Sequence, residues 1–380
     1  IMLGLGVMAK SVGSGKARAA DQLGLFGGAA EPPEPAPAPS VAPARGGKRG
    51  RGAAMDPTAL PAPEKIGPPQ VRFGASSWTY PGWQGRVYRD VPAYGARFSQ
   101  LSLGEYARDP RFRTVSADNL YYVAPAQRLP MLTRFRELCA AVPGFDLCPK
   151  VWHGVTVNRY TALQQKQWRL PSEVNGSFLD AGVFLHDVAE PLSQELGPFL
   201  GPLILEIQEN DIHEAEFCAL LDAFLRVVRG VYEGPLAVEL RTTAHLTPRY
   251  LSIVRGHGVA HVLNSWTRMP AVGWQWDKLL AHGATDFEFF LVRALLRPGV
   301  RYEDASIFEP YDRLVSRAPE VRADILRVLR EAPQERTCYV LINNHLEGHS
   351  PGTIAELQDE LWGREQPDKA RPAANDAAAP

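Results

Sequence analysis

The sequence predicts an α/β chain whose residues 70–363 form one (β/α)8 TIM barrel, and three observations carry this. Eight short apolar runs alternate with helical stretches. The runs are near-continuous Val, Ile, Leu and Phe, as in strands buried on both faces. Nearly every run ends in a polar or aromatic side chain. Strand–helix alternation implies parallel strands, and eight of them over this length imply closure into a barrel.

The expected strands are VRFGASS (71–77), TVSADN (114–119), DLCPKV (146–151) and PLILEI (202–207), then LAVEL (236–240), AHVLN (260–264), FEFFLVRAL (287–295) and CYVLIN (338–343). Between them lie the helical stretches QRLPMLTRFRELCAAV, EAEFCALLDAFLRVVRGVY, PRYLSIVRGHG and PEVRADILRVLREA. In the second, Phe217, Leu220, Leu221, Phe224, Leu225 and Val228 recur at helical spacing. Gly230 and Gly256 are expected to stop their helices. Residues 1–69, with the run EPPEPAPAPSVAPARGGKRGRGAA, offer almost nothing to bury and read as a disordered leader; residues 364–380 read as a disordered tail.

Composition narrows the function classes. The 41 Lys and Arg nearly balance 42 Asp and Glu, a net charge of -1, so no global field draws the chain to nucleic acid or membrane. No apolar run approaches the roughly 18 residues of a membrane span. Ile1–Ala9 is apolar but short and follows no basic residue, so no signal peptide is expected; Met8 and Met55 are alternative starts. Cys139, Cys148, Cys218 and Cys338 form neither a C-x-x-C pair nor a zinc-type spacing, which suits a reducing cytoplasm.

In a barrel the strand ends converge on one mouth, where barrel active sites lie. The residues placed there are Ser76 and Trp78, Asp118 and Asn119, Lys150 and Trp152, and Glu206 and Gln208. Glu239 and Arg241, Asn264 and Trp266, Arg293, and Asn343 and Asn344 follow. Glu239 and Arg241 share a face at period two, more than a strand merely ending in polar residues requires.

Three segments together resemble the YecE-like family, a bacterial family of unknown function: GASSWTYPGWQGRVY (74–88), AVELR (237–241) and INNHLEGHSPGTIAEL (342–357). The resemblance covers essentially all of 70–363 and implies a (β/α)8 barrel. The chain departs from the commoner family pattern and resembles a divergent subgroup. Ser116 and Asp118 stand where the family has Glu and Asn, Thr156 is followed by Val157 rather than His, and Glu206 replaces a more usual Gln; Lys150 is kept.

The chemistry expected at the mouth follows from residue types. Lys150, Arg241 and Arg293 are cations suited to phosphate or carboxylate. Trp78, Tyr80, Trp83, Tyr122, Trp152 and Trp266 offer flat faces for a sugar or base. Ligand binding is accordingly assigned to Trp78, Tyr80, Asp118, Trp152, Arg241, Asn264, Arg293, Asn343 and Asn344. Glu206 and Glu239, from adjacent strands, are candidate general acid–base groups with Lys150 beside them; close carboxylates would push one pKa up. The competing reading is a structural ion-pair network. No metal is expected, since the nine histidines show no H-x-H or H-E-x-x-H spacing. No phosphate loop, dinucleotide fingerprint or G-x-S-x-G elbow occurs, and no cofactor is indicated.

The leader carries one further motif. Gln22-Leu23-Gly24-Leu25-Phe26 resembles the Q-L-x-L-F peptide by which bacterial replication and repair proteins dock on the DNA sliding clamp. Arg45, Lys48, Arg49 and Arg51 add positive charge nearby. The expected function is an enzyme acting on a phosphate-bearing ring substrate (nucleotide, nucleic acid or sugar phosphate), recruited to DNA by that peptide. The alternatives are a non-catalytic nucleotide or nucleic-acid binding module and a sugar-phosphate isomerase or epimerase.

Overall fold

The computed structural model describes residues 63–89, 98–283, 286–301, 304 and 307–363. Eight strands run through them: β1 Val71–Ala75, β2 Thr114–Ala117, β3 Asp146–Pro149, β4 Leu203–Ile207, β5 Leu236–Leu240, β6 Ala260–Asn264, β7 Phe289–Ala294 and β8 Thr337–Ile342. Every strand pairing is parallel, which requires a crossover between consecutive strands. The fold is thus mixed α/β with parallel strands. One ladder has the order β1-β8-β7-β6-β5-β4, and β2 pairs with β3 in a second.

Backbone contacts join the two ladders. At one edge Val151 N–H donates to Ile204 O at 2.9 Å and Gly201 N–H to Leu147 O at 2.7 Å. At the other, Arg113 N–H donates to Phe73 O at 2.9 Å. There β1 and β2 approach so closely that a Cβ on Gly74 would lie 2.1 Å from the Thr114 carbonyl oxygen. Only glycine fits such an approach.

The strands divide the apolar residues into two groups. One face carries a small cluster of Cys148, Ile204, Ala237, Ala260, Val262, Phe289, Leu291, Tyr339 and Leu341. The opposite face contributes Leu205, Val238, Leu263, Val292 and Val340 to a larger core shared with the helices. Side chains alternate along a strand, so the first face continues two residues on to Lys150, Glu206, Glu239, Asn264, Arg293 and Asn343. The spacing that buries the small cluster therefore also sets the charged strand ends above it.

The helix Glu214–Arg229 buries Phe217, Leu221, Phe224, Leu225 and Val228, as its periodicity requires, and leaves Leu220 exposed. It ends at Gly230, whose φ of -69° makes no use of glycine's left-handed freedom. Gly256 is the last residue of the helix Pro248–Gly256 rather than its stop; Gly258, at φ 61°, makes the left-handed turn. Thr247 caps that helix through its hydroxyl, which accepts from Tyr250 N–H at 3.2 Å.

Residues just before β1 pack on the fold. Lys65 Nζ donates to Asp109 O at 2.8 Å, and Arg113 Nη2 donates to Gly67 O at 2.6 Å. Burial lowers the Lys65 ammonium to about 8. Of the leader expected over 1–69, residues 1–62 with the Gln22–Phe26 peptide lie outside the described residues, as does the tail expected over 364–380. Among the described residues no helix is long and apolar enough to cross a membrane.

Candidate functional site

The strand ends bring together six charged side chains. Glu206, on β4, sits at their centre. Lys150 Nζ, just past β3, lies 2.7 Å from Glu206 Oε2, and Arg241 Nη2, just past β5, binds the same oxygen. Arg293, on β7, reaches that oxygen at 3.5 Å. Glu239 lies 3.0 Å from Arg241 Nη2 and 2.5 Å from Arg293 Nη1. Asp118, just past β2, accepts from Arg293 Nη2 at 2.8 Å. Three cations thus face three carboxylates, and all except Asp118 are buried.

Register explains the meeting of Glu206 and Glu239. They are direct partners across the β4–β5 ladder, so both carboxylates leave the same face side by side. Such a pair is tolerable only with cations between its members. The expectation that one close carboxylate would have a raised pKa does not describe Glu206. Burial raises it, but Arg241, Lys150 and Arg293 together outweigh burial and hold it at about 2. Glu206 is a permanent anion at neutral pH, unsuited to carrying a proton.

Aromatic rings cover two of the cations. Lys150 Nζ lies 4.0 Å from the Tyr121 ring centre, and the Arg241 guanidinium carbon 4.2 Å from the Trp266 ring centre. Gln208 donates to Glu206 Oε1 and, at 3.3 Å, to the Tyr121 hydroxyl. Burial, then the Glu206 charge, raises the Tyr121 phenol well above its ordinary value. Next to these rings, the segment after β3 adds His153, stacked on Trp168 at 4.4 Å with Nδ1 3.0 Å from the Tyr160 hydroxyl. Burial, then Arg128, lowers His153 to about 4.

Several expected ligand-binding residues are used for building instead. Trp78 is buried, donates from Nε1 to Ser99 O at 2.6 Å and meets Phe135 edge-on, so it belongs to the core rather than to an open face. Trp83 is buried between Tyr80, Tyr88 and Tyr106. Asn264 spends its amide on the backbone: Nδ2 donates to Leu240 O at 3.1 Å and Oδ1 accepts from Trp266 N–H at 3.1 Å. Asn343 caps the helix Asn344–Glu347 by accepting from His345 N–H at 2.9 Å. Asn344 is buried and accepts from Ser350 N–H at 2.7 Å. These short side chains stand where strands turn into loops, and the loop backbone claims their hydrogen bonds.

Tyr80 and Trp152 are half-buried and touch other groups. Tyr80 packs on Trp83 and on Tyr311, and the Arg128 guanidinium carbon lies 5.9 Å from the Trp152 ring centre. Glu347, in the segment after β8, is buried and clasps the helix Pro319–Glu331. Its Oε1 accepts from Ala318 N–H at 2.6 Å and Arg322 Nε at 2.7 Å, and its Oε2 from the Thr353 hydroxyl at 2.8 Å. Of the site's members, Tyr121 was not among the expected residues, and Gln208 was expected at the mouth but given no binding or catalytic role. Their signal was slight: an aromatic pair after one strand and a polar residue two past Glu206. Among the described residues no group of three or more His, Cys, Asp or Glu side chains is arranged to hold a metal ion.

Parallel strands with a charged, aromatic-roofed cluster at their carboxyl ends define the class: an α/β protein with a strand-end site. The chain belongs to the family described as protein of unknown function DUF72, whose model matches residues 72–376. It is similar to a DUF72 family protein from Thermotoga maritima, at 18% identity and a TM-score of 0.48 over 77% of this chain and 99% of that one. It is also similar to a DUF72 family protein from Enterococcus faecalis, at 17% identity and a TM-score of 0.47 over 77% and 96% of the two chains. No curated protein matches it.

Proposed function

We propose that the two ladders close into a (β/α)8 barrel whose mouth is the catalytic site of an enzyme acting on a phosphate-bearing ring substrate. One observation carries the reading: Lys150 and Arg241 are each held between the Glu206 carboxylate and an aromatic face. A carboxylate keeps a cation charged and fixed, and the half-buried Trp266 ring beside Arg241 offers a stacking surface, the two elements an anionic ring-bearing ligand needs. Glu206 orients the cations. Glu239 and Lys150 are the groups assigned to proton transfer. Nucleotides, nucleic acid and sugar phosphates all belong to this class, and docking of Gln22, Leu23, Leu25 and Phe26 on a sliding clamp would select the DNA-linked members.

A screen for hydrolase and nuclease activity, with and without divalent metals, tests the proposal on wild type and Glu239→Gln. The expected result is turnover by wild type and its loss in the variant, with both chains folded by circular dichroism. The equality of cations and carboxylates in the network favours a second reading, a non-catalytic binding module. Binding of such ligands by wild type without turnover of any would select it.

A further inference from the structure

We propose that Asp118 is an exchangeable counter-ion, and that a phosphate group takes its place on Arg293. The proposal rests on the anionic-ligand reading above and names the subsite within it. The three carboxylates of the network are not equivalent. Glu206 and Glu239 stand within strands, with side chains 3% and 0% exposed, and each touches more than one cation. Asp118 lies instead on the short 3-10 turn Asp118–Tyr121, is 23% exposed, and among the described residues pairs with one cation only. Its remaining hold is the Ser116 hydroxyl, which donates to Oδ1. Asp118 can therefore leave toward solvent without moving a strand or stranding a carboxylate in the interior.

Arg293 is prepared for a larger acceptor. Its side chain is 1% exposed, and its Nε is buried without a hydrogen-bond partner. Nε and Nη2 lie on one edge of the guanidinium plane. Asp118 occupies Nη2 and leaves Nε unused. A buried donor left unbonded is costly, and a phosphate, with several oxygens, spans both positions in the bidentate manner arginine favours. Phosphate also carries up to two negative charges against one on Asp118. The carboxylate holds Arg293 charged and oriented when phosphate is absent, and competes with it as a tethered ligand.

Titration calorimetry of inorganic phosphate into the full chain tests this on wild type, Asp118→Asn and Ser116→Ala. Removing the competing charge should tighten phosphate binding on the order of tenfold in Asp118→Asn. Ser116→Ala, which only loosens Asp118, should give a smaller gain of about two- to fivefold, and it serves where Asp118→Asn does not fold. Arg293→Lys introduced into Asp118→Asn should erase the gain, since an ammonium has no such edge. Parallel titrations with ribose 5-phosphate and a 5′-phosphorylated dinucleotide show whether a sugar phosphate or a strand end is the preferred source. Equal affinity in wild type and both variants overturns the exchange and leaves the anionic-ligand reading standing. Absence of phosphate and phosphate-ester binding in every chain overturns both.

Discussion

Lys150 and Glu206, from neighbouring strand ends, meet at 2.7 Å with side chains 7% and 3% exposed. Ion pairs this deeply buried cost desolvation energy and are strongly destabilising to break by removing one partner. Glu206 also serves Arg241 and Arg293, so its removal leaves three cations facing two carboxylates.

The Glu206 carboxyl has a folded pKa of about 2 against an ordinary 4.5. A depressed folded pKa contributes stability that is present above the ordinary value and lost as pH falls through the folded one. The thermal midpoint of wild type should therefore decline between about pH 4.5 and pH 2, and Glu206→Gln should show a shallower decline there. At neutral pH that variant should lose about 3–5 kcal/mol, read from denaturant unfolding. Equal pH slopes in the two chains would mean that the cations do not depress Glu206.

Asp146, on β3, is a buried carboxylate with the opposite behaviour. Burial raises its pKa, and the partial compensation comes from Arg72 at 2.9 Å and the Tyr339 hydroxyl at 3.1 Å. A raised folded pKa makes the ionised form a liability once pH exceeds the ordinary value, relieved as pH falls. Asp146→Asn keeps an acceptor for Tyr339, and Arg72 is partly exposed. At neutral pH the variant should match wild type within about 1 kcal/mol or exceed it. A loss as large as that of Glu206→Gln would show the Arg72 pair to be essential.

Gly74→Ala tests the junction of the two ladders. The new methyl would meet the Thr114 carbonyl oxygen at 2.1 Å, against backbone that cannot turn aside. A cost of about 3 kcal/mol or more is expected, at the upper end for overpacking, seen as a large fall in thermal midpoint. A midpoint near that of wild type would mean that β1 and β2 separate easily.

A peptide spanning Ala20–Gly28 should bind a bacterial sliding clamp with micromolar affinity in fluorescence anisotropy. Leu25→Ala with Phe26→Ala should abolish it, since two such anchors contribute about 3–6 kcal/mol when buried. Absence of binding by the unaltered peptide ends the case for this partner.

Strand positions were legible because continuous Val, Ile and Leu runs have few other uses in a chain of this composition. β5 and β6 match the expected 236–240 and 260–264, while β1 and β2 stop two residues short of 77 and 119. At those ends Trp78 turns into the core, while Asp118 enters the charge network through Arg293. The charged members of the site were legible for the same reason: Lys, Arg and Glu at the end of a buried run must be paired. The pairing itself was not, since it depends on which strands neighbour which. Nor were the fates of Trp78, Asn264 and Asn344, because an aromatic ring or an amide serves core, loop and ligand equally well.

The equal numbers of cations and carboxylates at the strand ends have a kinetic consequence. Opposite charges a few ångströms apart cancel at distances beyond the Debye length, about 8 Å at physiological salt. With a net charge of -1 on the whole chain, an anionic ligand would meet little long-range field on its way in. Its association rate should sit near the unsteered range of about 10⁵–10⁶ M⁻¹s⁻¹ and change little with ionic strength, unlike that of a basic groove. Attraction would begin only once such a ligand came within reach of Arg293 or of the Trp266 ring beside Arg241. Selection at such a site is made after arrival, in the lifetime of the complex rather than in the frequency of encounter.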